Sequence, residues 1–496
     1  MKITRPALAA VAAVAIAAGA VPAAGHFQAA ESSQGLVTVE RVQPAVSEST
    51  SSLPTSTEST PAATTNASAT TTAAATAAAA TTGEVTETTQ AKEPKDVADI
   101  DGASVPDGDR EGLLKQAKDA LKPEATGEEA DNMPEPAESD TESDAESTES
   151  ENFMEIAPLT EAPVDYKGNP QEWFAELKNF RGAEAVTVYS EAMDRKIPVA
   201  LIRAVDKDGN PIKAPTYYLL NGAGGSEQNT DWLAVAPETV KAVLGNEPVN
   251  VVIPMEGAFS YYVDWLSTPE KGKYFKGKQK WSTFLAKEMI PSVENYLNAN
   301  GKRAVTGFSM SATSSLLLAV HNPDMFDAVG SFSGCAATST PLPNFFAGLT
   351  VNRGSAGAGN ITPENLWGPR GSDYNRYNDA LVMADNLVGE NGVTKTKFYL
   401  SAGTGLAGQT DMLSYLRENS GSTEALSAAL TLQVEGGAIE AAMNACTHDF
   451  NTKLNSLGVD TYFNKRPVGT HSWPLWRDDL KVSWEKVIRP ALFETE

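Results

Sequence analysis

Cysteine and histidine are scarce in this chain. There are two cysteines, Cys335 and Cys446, and four histidines in 496 residues. Neither cysteine sits in a C-x-x-C or similar ligand spacing, so a structural zinc site is not expected, nor any other metal. No organic cofactor is expected either, and the glycine-rich loop in LLNGAGG is not a phosphate cradle, since it lacks both the P-loop lysine pattern and the G-x-G-x-x-G spacing. After the first thirty residues no apolar run approaches the ~20 residues of a membrane span. Basic residues are also in deficit, 39 against 64 acidic ones. That balance offers no cationic surface for nucleic acid.

The acidity is unevenly spread. Residues 31–150 carry 25 acidic and 7 basic residues, and so account for 18 of the net charge of −25. This stretch is rich in Ser, Thr and Ala, then in Glu and Asp, and has too little apolar surface to offset chain entropy. Residues 31–156 therefore read as a disordered, hydrated spacer, with a binding tail as the sharper alternative. Within it GLLKQAKDALK (residues 112–122) is a possible but isolated, hence marginal, helix. Ahead of it, residues 1–30 combine Lys2 and Arg5, an apolar run and small residues. That pattern is a secretory signal peptide rather than an uncleaved anchor. In an exported protein an even pair of cysteines suggests one disulfide, Cys335–Cys446, against the alternative of two buried thiols.

Residues 157–496 read as one α/β domain with a mainly parallel central sheet flanked by helices. AVTVYSEA and IPVALIRAV suggest an early antiparallel pair. TYYLLNGAGG is a strand running into a glycine-rich loop, and VNVVIPM reads as a strand buried on both faces. STFLAKEMIPSVENYLNAN is an amphipathic helix. DAVGSFSG, TKFYLSAG and DTYFNKR supply further strands, and RDDLKVSWEKVIRPAL a closing helix.

The chemistry concentrates in GFSMSATSS, residues 307–315. It begins like the nucleophile elbow G-x-S-x-G, with Ser309 in the nucleophile position and Ser311 where the second glycine is usual. A serine hydroxyl is a weak nucleophile and needs a base, a group orienting that base, and backbone N–H donors for the oxyanion. In the α/β-hydrolase arrangement these parts run in the order serine, acid, histidine. His26 lies in the signal region, His321 near the end of the post-elbow helix, and His448 inside a probable helix. This leaves His471, in a loop after the last strand, as the base. The acid is open at this level: Glu435 and Glu440 both fall between the last two strands, and Asp411 is more distant. The backbone N–H of Met310 is one oxyanion donor, and Ala223 in LLNGAGG the candidate for the second, unless that loop is a plain turn.

With these residues in place, the chain resembles the antigen-85-type mycolyltransferases, secreted acyltransferases of mycolate-bearing bacteria, and more closely their corynebacterial relatives. The resemblance rests on LLNGAGGSEQNTDW, VVIPMEGAFSYYVDW, KWSTFLAKE, GFSMSATSSLLLAVHNPDMFDAVGSFSG and GTHSWPLW, in order, from about Val186 to the C-terminus. It implies an α/β-hydrolase fold, Ser309 as nucleophile and His471 as base. By alignment of the family's L-E segment it favours Glu440 over Glu435 as the acid. Cys446, six residues beyond Glu440, would then tie the acid-bearing segment to the strand before Cys335. The resemblance further implies trehalose mycolates and cell-wall glycan as substrates, and a place in the mycolate envelope. Where the family has Asp and Arg against trehalose, this chain has Asn221 and Gly224, which puts the acceptor in question. Asn221, and Trp473 as a face for a sugar, are the substrate-binding candidates; core packing is the alternative for Trp473. A carboxylesterase with the same triad, a protein O-mycoloyltransferase and an inactive binding paralogue are the other readings.

Overall fold

The computed structural model describes residues 153–268, 272–355, 361–419 and 422–494. The expected signal peptide, the spacer up to residue 152 and the 112–122 helix lie outside the described residues. The chain is tied down from Met154, whose N–H donates to Ser292 Oγ at 2.8 Å, ahead of the boundary expected at Ala157.

Among the described residues eleven strands follow in chain order: β1 (Ile156–Pro158), β2 (Ala183–Ser190), β3 (Arg195–Ile202), β4 (Thr216–Leu219), β5 (Asn250–Pro254), β6 (Arg303–Phe308), β7 (Ala328–Phe332), β8 (Val388–Gly389), β9 (Gly392–Val393), β10 (Lys397–Ala402) and β11 (Thr461–Lys465). β8 and β9 form a small separate ribbon. The other nine make one sheet in the order β1-β2-β3-β5-β4-β6-β7-β10-β11. Pairings from β1 to β3 and from β3 to β5 are antiparallel, and every pairing from β5 to β11 is parallel.

The strand sequences explain this. β4, β5 and β7 are buried along their whole length, as strands covered by helices on both faces must be. Alternate residues serve two separate cores. Tyr218, Val252, Val305 and Val329 pack on one face; Tyr217, Val251, Ala304 and Ala328 pack on the other. β2 alternates buried and half-buried positions, as a strand near the sheet edge does.

Three helices bear on the site: α1 (Met310–His321), α2 (Gly437–Leu457) and α3 (Trp473–Ser483). α1 is buried from Met310 to Val320, which its unbroken run of small and apolar residues permits. The closing helix begins at Trp473, four residues ahead of the expected start. Two wider, π-helical stretches, Phe284–Met289 and Trp484–Ile488, interrupt helices that the sequence pattern reads as continuous; a third, Thr431–Gly436, leads into α2. Among the described residues no helix is long and apolar enough to cross a membrane.

The β10–β11 edge is fixed by a buried carboxylate. Asp479 on α3 is 1% exposed and accepts from Tyr399 Oη (2.8 Å), Asn464 Nδ2 (3.1 Å) and Arg466 Nη2 (2.7 Å). Burial pushes its carboxyl pKa up, while Arg466 opposes that shift. Removing the cation leaves this charge buried and uncompensated. Arg466→Ala should lower stability by about 3–5 kcal/mol in urea unfolding, whereas a surface pair such as Lys453–Asp385 should contribute under ~1 kcal/mol.

Candidate active site

All five loops that build the site leave the carboxyl ends of parallel strands, where open α/β sheets place their ligands. They follow β4, β6, β7, β10 and β11.

Ser309 follows β6 directly and is the residue before α1, with φ 54° and ψ −124°. For a residue with a Cβ this is a strained conformation, forced by a strand that must turn into a helix within one residue. Two close approaches hold it. Its N–H donates to Phe332 O of β7 at 2.9 Å. At Gly307 an added Cβ would meet the Ser311 carbonyl at 2.0 Å, so no larger residue fits. Ser311 shows why serine serves in the fifth position of the elbow. Its Oγ is fully buried, accepts from Phe308 N–H at 3.1 Å and lies 3.2 Å from Leu220 O at the end of β4. The hydroxyl thus joins the elbow to the glycine-rich loop.

His471 stands in the loop after β11, and its Nε2 is 2.7 Å from Ser309 Oγ. Nδ1 is 2.8 Å from Glu440 Oε2. A carboxylate only accepts, so the proton sits on Nδ1 and the Nε2 lone pair faces the serine. Glu440 lies in the first turn of α2 and is completely buried. Its other oxygen accepts from Gly403 N–H (2.6 Å) and Ser333 Oγ (2.8 Å). The π-helical stretch Thr431–Gly436 ahead of α2 has its own part here, since Gly436 O accepts the His471 N–H at 3.1 Å. The loop after β10 meets the start of α2 backbone to backbone: a Cβ on Gly437 would lie 2.7 Å from Gly405 O.

Of the other acid candidates, Glu435 is half-buried in the π-helical stretch and is not the carboxylate on the imidazole. Asp411 is buried, and burial raises its pKa. It accepts from Gly408 N–H (2.8 Å) and from Ser472 Oγ (3.4 Å), and so holds the residue beside His471 rather than the ring. His321 Nε2 is 2.7 Å from Tyr377 O, and its ring stacks on Tyr377. His448 lies on α2 with its ring edge-on to Phe463.

Met310 opens α1, so its N–H has no intrahelical acceptor. Ala223 is the half-buried residue in an otherwise buried stretch from Leu219 to Glu227. Among the described residues no group engages either N–H.

The two substrate-binding candidates are corrected by burial. Asn221 is 1% exposed, and both ends of its amide are taken: Nδ2 donates to Pro254 O (2.9 Å) and Oδ1 accepts from Trp232 N–H (3.2 Å). It locks the ends of β4 and β5 together, and its burial keeps it from a sugar. Trp473 is fully buried, packed at 4.6 Å from Phe308 and 5.4 Å from Trp232, and presents no face to a ligand. A residue the sequence reading misses is Ser333, held at φ 54° after β7, which donates to Glu440 and accepts from Trp476 Nε1 at 3.2 Å. Its signal is the SFSG run at a strand end. Among the described residues no cluster of three or more His, Cys, Asp or Glu is disposed to hold a metal ion.

Cys335 and Cys446 form a disulfide with Cα atoms 5.0 Å apart and a sequence separation of 111. It joins the loop after β7 to α2, the helix that carries Glu440.

A serine hydrogen-bonded to an imidazole at a strand-to-helix elbow, on a mostly parallel sheet, defines the α/β-hydrolase class of fold. The Esterase family model matches residues 190–484, and the chain belongs to that family. It is 29% identical over 302 residues to the diacylglycerol acyltransferase/mycolyltransferase Ag85B of Mycobacterium leprae (strain TN), covering 60% of this chain and 81% of that protein. It is likewise 29% identical over 308 residues to Ag85B of Mycobacterium avium, covering 60% and 80%. The crystal structure of Mycobacterium tuberculosis MPT51 (FbpC1) aligns with a TM-score of 0.46 at 22% identity, over 62% of this chain and 98% of that one. The resemblance to antigen-85-type mycolyltransferases read from the motifs is borne out by the family match and the two Ag85B relatives.

A cross-link closing a loop of about 110 residues restricts the unfolded chain strongly. Replacing both cysteines by alanine should lower stability by about 2–4 kcal/mol in urea unfolding. Dithiothreitol should then shift the native midpoint toward that of the variant and leave the variant unchanged.

Proposed function

We propose that this chain is a serine acyltransferase of the antigen-85 type, moving a mycolyl group from trehalose monomycolate to a second trehalose monomycolate or to arabinogalactan. The observation that carries the reading is the hydrogen-bonded series Glu440–His471–Ser309, set beside the Met310 and Ala223 N–H groups, which nothing among the described residues engages. His471 Nε2 takes the Ser309 proton as Oγ attacks the ester carbonyl. Glu440 holds the imidazole in the productive tautomer and balances its charge once protonated. The oxyanion is received by the N–H groups of Met310 and Ala223. Collapse breaks the ester C–O bond; the imidazolium returns its proton to the leaving sugar oxygen, and the mycolyl group stays on Ser309. A hydroxyl of the acceptor, deprotonated by His471, then attacks the acyl-enzyme and regenerates the serine.

Export to the cell envelope belongs to this reading, supported by the signal-like residues 1–30 and the disulfide. Asn221 is committed to the fold, so the acceptor is gripped by groups other than those of the family's Asp and Arg pair. The second reading is a carboxylesterase with water as acceptor, favoured by the family match. Protein O-mycoloylation is a further acyl transfer open to the same machinery.

Trehalose monomycolate incubated with the mature chain should yield trehalose dimycolate and free trehalose on thin-layer chromatography; free mycolic acid alone would favour the esterase. Ser309→Ala should lower turnover by about 10⁴-fold or more, and activity surviving that change would sink the serine mechanism. Glu440→Gln places an amide against Nδ1 and favours the wrong tautomer. A fall in kcat of about 10³–10⁴ at neutral pH is expected, with KM little altered.

A further inference from the structure

The loop after β5, from Gly257 to Tyr262, has an unusual backbone. Phe259 (φ 61°), Tyr261 (φ 55°) and Tyr262 (φ 48°) are all left-handed, with Gly257 at φ 114°. Three bulky residues in that region within four positions need outside contacts to hold them there. The loop also touches both residues assigned to the oxyanion. Phe259 N–H donates to the Ala223 carbonyl at 2.8 Å. Tyr261 N–H points at Met310 Sδ at 3.2 Å, and Ser314 Oγ, one turn along α1, donates to Tyr261 O at 2.6 Å.

What restrains this loop is a carboxylate the mechanism does not use. Glu227, in the glycine-rich loop after β4, is 5% exposed. Its Oε1 accepts from both Gly257 N–H (2.9 Å) and Ala258 N–H (3.1 Å). Ser226 Oγ lies 3.4 Å from its other oxygen, and among the described residues no cation pairs with it. The adjacent carboxylate, Glu256, is instead bonded to Arg195 at 3.0 Å and lies 3.6 Å from Lys276. Burial, and then the Glu256 charge, push the Glu227 pKa up to about 7. A group held at such a disadvantage has to be answered by its two N–H donors. Ser260 closes the loop from its own side: Oγ donates to Gly257 O at 2.6 Å and accepts from Tyr262 N–H at 3.1 Å.

We propose that Glu227 is a positioning residue for the acyl-transfer step: by clamping the left-handed loop at Gly257 and Ala258, it holds the Ala223 backbone, through its carbonyl, and the Met310 side chain, through its sulfur, in place beside the nucleophile. The inference rests on the serine acyl-transfer reading of the site. It requires the Glu227 side chain as a hydrogen-bond acceptor, not as a charge. Removing the acceptor should therefore impair the step in which the oxyanion forms and leave ester binding alone.

The test uses the mature chain and a short-chain p-nitrophenyl ester, comparing kcat and KM. Glu227→Leu keeps bulk and removes the acceptor; kcat should fall about 10-fold or more with KM within about twofold. Glu227→Gln retains an amide oxygen for both N–H groups and should stay within about threefold of the native kcat. Ser260→Ala, which loosens the same loop from another side, should lower kcat without raising KM. Near-UV circular dichroism reports whether each variant is folded. Native kcat in folded Glu227→Leu overturns the proposal, as does an equal loss in Leu and Gln variants or a loss confined to KM. If Glu227→Leu does not fold, Ser260→Ala decides alone, and an unchanged kcat there is fatal. Ser309→Ala runs in parallel: a silent Ser309→Ala beside a fully active Glu227→Leu defeats this inference only, whereas an active Ser309→Ala defeats the serine reading itself.

Discussion

A carboxylate removed from water must have its oxygens answered by donors, or its ionised form is lost. Glu440 is completely buried, and its donors come from three different places: Ser333 after β7, Gly403 after β10 and His471 after β11. No one of these segments could be shifted without leaving the charge short of a partner. The order of the strands meets this demand, because β7, β10 and β11 are neighbours in the sheet. The disulfide works on the same element from the other side, tying α2 to the loop after β7. Stability and reactivity are thus joined at a single side chain.

The other half of the site has a different logic. Around Ser309 the constraint is backbone against backbone. Gly307 admits the Ser311 carbonyl, Ser311 Oγ bridges the elbow to Leu220, and Asn221 locks β4 to β5. Small residues permit these approaches, and their short polar groups then fasten them. An α/β sheet brings its strands within about 5 Å of one another by its own geometry. The loops beyond the strand ends have no such ladder, and side chains such as Asn221, Glu227 and Ser311 stand in for it.

Much of this is legible in the sequence, for identifiable reasons. Strands buried on both faces announce themselves as near-continuous apolar runs, and β5 does. The elbow is legible because only a glycine–serine pattern tolerates its geometry. His471 emerges because few histidines compete with it. What the sequence hides is exposure. Asn221 and Trp473 are residue types that often hold sugars, and nothing in their identity says that Pro254, Trp232 and Phe308 have already claimed them. The choice between Glu435 and Glu440 is open to spacing alone, since Glu435 lies in a π-helical stretch and periodicity assumes an even 3.6; only the family's L-E segment separates the two. Ser333 escapes because its role depends on a left-handed backbone at the end of β7, which no composition rule marks.

The strain at Ser309 has an evolutionary edge. Its φ of 54° is the backbone region in which glycine rests without penalty. The substitution best suited to that backbone is therefore the one that deletes the Ser309 hydroxyl. Selection for robustness alone would draw the chain toward a sturdier, inert descendant. A paralogue bearing glycine at this position would be recognisable as one in which selection for the chemistry had lapsed while selection for the fold continued.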